Sequence, residues 1–170
     1  MNKVKRGTRK GYCFKSFASP VGPLKLVASD EGLTAILWKN ESPGRVPLND
    51  LIENPDHPVL RAAEKQLREY FAGTRSRFDL KLDFVGTPFQ KKVWRALLKI
   101  PFGETRSYGD IARQVGSPKA VRAVGAANGR NPISIVAPCH RVIGSNGKLI
   151  GFAGGLPVKE YLLEMERTRA

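Results

Sequence analysis

Three short β-prone runs open the chain: Tyr12–Ala18, Leu24–Ser29 and Leu33–Trp38. Pro20-Val21-Gly22-Pro23 and Asp30-Glu31-Gly32 separate them. Turn residues between strands of this length predict an antiparallel meander. Residues 40–57 contain three prolines and little periodicity, and read as a surface loop. From Pro58 the period changes. Leu60, Ala63, Leu67, Tyr70 and Phe71 recur at helical spacing until Gly73 supplies a stop. Leu80–Val85 reads as another short strand or an extended linker.

The second half is helical and well punctuated. Thr87-Pro88-Phe89-Gln90 combines an N-cap, a first-turn proline and a glutamine three residues on, the pattern of a capping box. Val93, Trp94, Leu97 and Leu98 then make one apolar face, and Pro101 forbids continuation. Ser107-Tyr108-Gly109-Asp110 repeats the capping pattern before a short helix with Ile111, Ala112 and Val115 inward. Gly116 closes it, and Ser117-Pro118 starts a third helix at once, which is a helix-turn-helix signature. On that third helix Val121 and Val124 can face the core, with Lys119 and Arg122 on another side among Ala120, Ala123, Gly125, Ala126 and Ala127. Such small residues let a backbone approach either another helix or a DNA groove. Arg122 favours the groove, because a long cation beside alanines is poorly placed for a core. Asn131-Pro132 ends the helix, Ile133–Ala137 reads as a buried strand, and Val158, Tyr161, Leu162 and Met165 give a last helix its apolar face. The expected fold is α+β. Residues 1–85 form an N-terminal domain of antiparallel sheet plus helix, and residues 86–170 a helical, winged-helix-like domain bearing the helix-turn-helix.

Composition narrows the function. No apolar run among the 170 residues approaches the roughly 20 that a bilayer span needs, which argues against a membrane protein. Residues 1–10 are basic but lead into no apolar signal core. Two cysteines, Cys13 and Cys139, are too few for a disulfide framework, and a four-ligand zinc site would consume both of them with His57 and His140. A reduced, cytoplasmic, metal-free protein is expected. The net charge of +14 is unevenly spread. Residues 1–10 hold five Lys/Arg and no acid, residues 11–85 hold ten of each sign, and residues 86–150 hold eleven Lys/Arg against Glu104 and Asp110. One sign sustained over such a length points to a polyanion, nucleic acid above all. The neutral stretch 11–85 shows no constellation of chemical groups and reads as scaffold.

Pro138-Cys139-His140-Arg141-Val142 is the chemically suggestive segment. A lone cysteine is by default a small buried hydrophobe. Positive neighbours favour the thiolate, so a cysteine followed by histidine and arginine is a candidate nucleophile.

With Asn131-Pro132 upstream and Gly151-Phe152-Ala153-Gly154-Gly155 downstream, this motif resembles the O6-alkylguanine-DNA alkyltransferases in their short bacterial form without a regulatory domain. The resemblance is strong from Thr87 to Glu166 and looser over Ser19–Leu24 and Leu67–Gly73. It implies that Cys139 takes an alkyl group from O6 of a guanine flipped out of double-stranded DNA. His140 would act as base through a water, oriented by Glu166, with Asn131 bracing the turn before the nucleophile. Tyr108 would donate to guanine N3, the carbonyls of Cys139 and Val142 would accept from the exocyclic amine, and the Ala153 N–H would reach O6. Arg122 would fill the space of the extruded base, with Lys119, Ser117, Ala120 and Val121 beside it on the DNA. The resemblance implies a monomer, no cofactor and one transfer per molecule. Phe152 and Ala153 stand where many relatives carry tyrosine and serine. Zinc-bearing relatives use several N-terminal Cys and His residues, where this chain offers only Cys13 and His57. Two other readings stand beside it: a helix-turn-helix protein that senses DNA damage with Cys139 as packing, and a Cys-His hydrolase, weakened by the basic surface and the missing oxyanion-hole signature.

Overall fold

The computed structural model describes residues 11–170, so the basic run Met1–Lys10 lies outside the described residues. Strands β1 (Tyr12–Ser19), β2 (Gly22–Ser29) and β3 (Gly32–Trp38) form the expected antiparallel meander. Inside the segment expected to be a loop, Leu51–Glu53 forms β4, which pairs in parallel with β1 and makes the sheet order β3-β2-β1-β4. Three residues, with Ile52 and Glu53 exposed, are too few to show a strand period. Helix α1 (Pro58–Ala72) buries Leu60, Ala63, Leu67, Tyr70 and Phe71 against the sheet, and Gly73 caps it at φ 82°.

The free edge of β3 joins the two halves. Leu33 donates to the carbonyl of Lys81 and accepts from Asp83, so the extended connection runs along this edge as a bridge at Leu82. Further along, Ile36 donates to the carbonyl of Pro132 and bridges Ile133. The same strand therefore supports both the interdomain connection and the segment leading to Cys139.

Helix α2 (Pro88–Leu97) has the full capping box of Thr87 and Gln90 and buries Val93, Trp94, Ala96 and Leu97. Leu98, expected on that face, lies past the helix end and is exposed. Strand β5 (Arg106–Ser107) leads into α3 (Tyr108–Gln114), whose capping box joins Ser107 and Asp110. Ile111, Ala112 and Val115 are buried as expected. Gly116 turns the chain at φ 77°, a conformation glycine adopts without steric cost.

Helix α4 (Val121–Gly129) begins later than expected. Ser117-Pro118 does not cap it. Ser117 accepts from the Ala120 amide in a separate turn, and Ala120 is the N-cap. Lys119 thus sits in the turn before α4, not on it, and Val121 faces solvent while Val124 is buried. Ile133–Ala137 is buried, but as a turn: Ile135 holds φ 74°, a left-handed conformation costly for a β-branched residue. A 3-10 turn (Cys139–Arg141) follows, then β6 (Val142–Ile143), parallel to β5, and α5 (Leu156–Arg169). Helix α5 buries Leu162 and Met165 as expected but leaves Tyr161 exposed and turns Lys159 and Glu166 inward. No helix among the described residues is long and apolar enough to cross a membrane.

Candidate active site

Cys139 is the first residue of the 3-10 turn, buried at the foot of a heavily braced loop. The Asn131 side chain supplies the brace: Nδ2 donates to the Ala137 carbonyl at 2.8 Å and Oδ1 accepts from the Ile133 amide at 3.1 Å. Between them, Ser134 Oγ accepts from Trp38 Nε1 at 3.1 Å. These bonds hold the strained Ile135 in place and fix where the chain presents Sγ.

The next two residues turn inward onto one carboxylate. His140 Nε2 lies 2.7 Å from Glu166 Oε2, with both side chains fully buried. Arg141 grips the same group through Nε to Oε1 at 2.7 Å and Nη2 to Oε2 at 3.1 Å, and its Nη1 donates to the Ile100 carbonyl. Tyr70, from α1, donates to Glu166 Oε2 at 2.5 Å. Burial alone would push the Glu166 carboxyl up, but His140 and Arg141 outweigh it and bring it down to about 2. His140 moves the other way. Burial first, then the charges of Arg141 and Lys159, lower its pKa against the opposing pull of Glu166, so the imidazole is neutral at pH 7. With Nε2 on Glu166 it carries its proton there, and Nδ1 is buried with no protein partner.

The positive neighbours of Cys139 in sequence predict a thiolate. Burial instead pushes the thiol up, against the opposing pull of Asn131, Arg45, Lys159 and Ser134. Arg141 is spent on Glu166, so the resting group is a thiol that needs a base.

Tyr108 lies half-buried at the start of α3, and its hydroxyl donates to the Ile150 carbonyl at 3.0 Å. The Cys139 carbonyl accepts from Asn128 Nδ2 at 3.4 Å, and the Val142 carbonyl accepts from Lys159 Nζ at 2.7 Å. Lys159 also donates to Ile150, so it ties the 144–155 loop to β6. Phe152 packs edge-on against Trp38 at 5.3 Å between ring centroids, with Ala153 half-buried beside it. Arg122 and Val121 are exposed on α4, with Lys119 exposed and Ser117 and Ala120 half-buried in the preceding turn. All five are at least partly exposed, whereas Cys139, His140 and Glu166 are buried.

Four residues escaped the sequence reading. Trp38, Arg45 and Tyr70 come from the half read as scaffold, and Lys159 from the last helix, outside the apolar face of Val158, Tyr161, Leu162 and Met165. Arg45 donates to the carbonyls of Gly129 at 3.3 Å and Asn131 at 2.8 Å while paired with Glu41. Among the described residues no group of three or more His, Cys, Asp or Glu gathers into a metal site.

Comparison with known proteins identifies the family. Residues 13–84 match the ribonuclease-like domain, and residues 88–168 the DNA-binding domain, of 6-O-methylguanine DNA methyltransferase. A methylated-DNA–protein-cysteine methyltransferase of Methanosarcina acetivorans is 53% identical over 151 residues, covering 88% of this chain and 95% of the relative. One from Mycobacterium tuberculosis is 50% identical over 159 residues, covering 92% and 93%. The crystal structure of Mycobacterium tuberculosis OGT in complex with DNA superposes with a TM-score of 0.84 at 48% identity, covering 93% of this chain and 94% of that one. The chain belongs to the 6-O-methylguanine DNA methyltransferase family.

Proposed function

We propose that the chain repairs DNA by moving the alkyl group from O6 of a flipped-out guanine to Sγ of Cys139, once per molecule. The observation that carries this reading is the buried His140–Glu166 pair next in sequence to the buried Cys139, in which burial keeps His140 neutral and Nδ1 has no protein partner. A neutral imidazole with a free lone pair is a base, and Glu166 holds it in the tautomer that leaves that lone pair on Nδ1. Through a water, Nδ1 takes the Cys139 proton. The sulfur pair then forms the S–C bond as the C–O6 bond breaks, its electrons stay on guanine, and the proton returns to the purine. A thioether has no easy leaving path, so the protein does not turn over, and the damaged base itself is the donor, so no cofactor takes part.

The other residues serve binding and orientation. Tyr108 exchanges its bond to Ile150 for guanine N3, and the carbonyls of Cys139 and Val142 receive the exocyclic amine. The Ala153 N–H meets O6, with Phe152 on the pocket wall. Arg122 enters the base stack, and Lys119, Ser117, Ala120 and Val121 lie along the DNA. Asn131 keeps the nucleophile's turn in shape. The chain divides near residue 85 into a supporting half and a DNA-handling half, acts as a monomer and works in a reducing, cytoplasmic setting, where both free cysteines stay reduced.

Intact mass after incubation with a duplex bearing O6-methylguanine tests this. One added methylene per protein, mapped to Cys139 and absent in Cys139→Ser, is the expected result. DNA binding without a mass gain supports a damage sensor, and repeated turnover supports a hydrolase.

A further inference from the structure

Glu166 is an unusually crowded carboxylate. Arg141 Nε sits on Oε1, and Tyr70 Oη, His140 Nε2 and Arg141 Nη2 all converge on Oε2. Each oxygen of an ionised carboxylate offers about two lone-pair positions, so the three donors on Oε2 compete for them while Oε1 holds one donor. Arg141 already balances the charge. The Tyr70 hydroxyl therefore adds something other than neutralisation, and it adds it at the oxygen that His140 uses.

We infer that Tyr70 is a positioning residue for alkyl transfer: its hydroxyl holds Glu166 Oε2 and sets how strongly that oxygen binds the Nε2 proton of His140. This rests on the alkyl-transfer reading above. Donors that converge on one acceptor share its electron density, so each weakens the others' hold. With Tyr70 in place, Glu166 orients the imidazole without drawing a second proton onto the ring, and Nδ1 stays open for the Cys139 proton. Tyr70 keeps its own proton throughout, because burial first and the Glu166 charge second push its pKa well above the ordinary tyrosine value. Its ring packs with Phe71, Phe78 and Phe102, a role phenylalanine would fill equally. Only the hydroxyl reaches the carboxylate.

Losing the hydroxyl leaves Oε2 a stronger acceptor, which favours the imidazolium and raises the His140 pKa. The other charges near this pair are Arg141 and Lys159, which oppose a charge on His140, and Arg169 behind Tyr70; the substitution alters none of them.

The test is the rate of Cys139 labelling by free O6-benzylguanine as a function of pH, with label read by intact mass. Activity falls on the acid side as His140 protonates. In Tyr70→Phe that acid limb moves to higher pH by about 0.3 to 1 unit, and the plateau rate falls about 2- to 10-fold, the range one hydrogen bond spans. Duplex affinity stays at the wild-type value. Site-specific 3-fluorotyrosine at position 70 keeps ring and hydroxyl but strengthens the donor, so it moves the limb to lower pH and decides the matter even where Tyr70→Phe folds poorly. Coincident limbs in all three proteins overturn the inference and leave Tyr70 as packing. A wild-type protein that takes up no label from the benzyl base or from methylated duplex overturns the alkyl-transfer reading itself.

Discussion

His140 and Glu166 make the stability of the protein depend on pH in two separate windows. The folded His140 pKa lies below its ordinary value, so its contribution is complete above the unfolded pKa near 6.5 and is lost as pH falls below it. Glu166 follows the same sign. Its contribution is complete above the unfolded value of 4.5 and is lost between there and about 2. A melting temperature that is level above pH 7 and falls in these two stages is expected from calorimetry; a level profile down to pH 4 contradicts the buried neutral imidazole. Glu166→Gln leaves the buried Arg141 without its counter-charge, which costs about 3–5 kcal/mol at neutral pH. Trp38→Phe is a milder probe. It keeps the ring against Phe152 but removes the Nε1–H that holds Ser134. A stability loss of about 1 kcal/mol is expected, with slower labelling of Cys139 and unchanged duplex binding in a gel-shift titration. Cys139 and His140 stand together in a short motif, and the family resemblance that the motif carries extends to Asn131 and Glu166. Trp38 and Tyr70 were not legible, because each meets its partner across 96 residues and nothing local marks the pairing.

Elements with strong local chemistry were read correctly, and those defined by tertiary contact were not. Both capping boxes, the α1 face and the Gly116 turn follow from residues a few positions apart. Strand β4 exists because β1 has an edge to offer, and Ile133–Ala137 is a turn because Asn131 and Trp38 pull its backbone out of strand geometry. Helix α5 misled by its composition: its buried side carries two charged residues whose partners lie on other elements. The later start of α4 has a functional consequence. Lys119 belongs to the turn, so Arg122, in the first turn of α4, is the only long side chain among the small exposed residues of that helix until Arg130. Arg122→Ala is expected to slow repair of duplex DNA by more than lost phosphate attraction explains, and Arg122→Lys to restore only part, since lysine lacks the planar fork. Labelling by free O6-benzylguanine, which needs no flipping, stays near the wild-type rate. Equal losses on duplex and free base would make Arg122 a structural residue. The 144–155 loop yields a second probe. A Cβ at Gly154 would meet the Trp38 ring at 2.8 Å, so Gly154→Ala displaces the loop and slows labelling even by the free base.

At the scale of the whole molecule, charge and chemistry are distributed differently between the two halves. Residues 11–85 are electrically neutral yet reach the site through Trp38, Arg45 and Tyr70, while the second half carries the nucleophile and an excess of cations. Within residues 86–150, Arg106 and Arg113 pair with Glu104 and Asp110, and Arg141 is buried on Glu166. Lys119, Arg122 and Arg130 remain exposed on and around α4. An α4 surface that seats on duplex DNA displaces condensed counterions from each phosphate these side chains neutralise. The logarithm of the affinity then falls linearly with the logarithm of salt concentration, by about 0.9 per phosphate contacted. Lys119→Ala is expected to weaken binding to all sequences alike and to lower that slope by about 1. Arg45→Ala removes a cation as well, but one held on Glu41 and the carbonyls at the end of α4. Its loss should loosen the helix end and lower stability while leaving the salt slope unchanged. Fluorescence anisotropy of a labelled duplex across a salt series, run on wild type and both variants, separates these effects. A flat profile for the wild type would mean that the cations of the second half serve solubility and that α4 does not face the DNA.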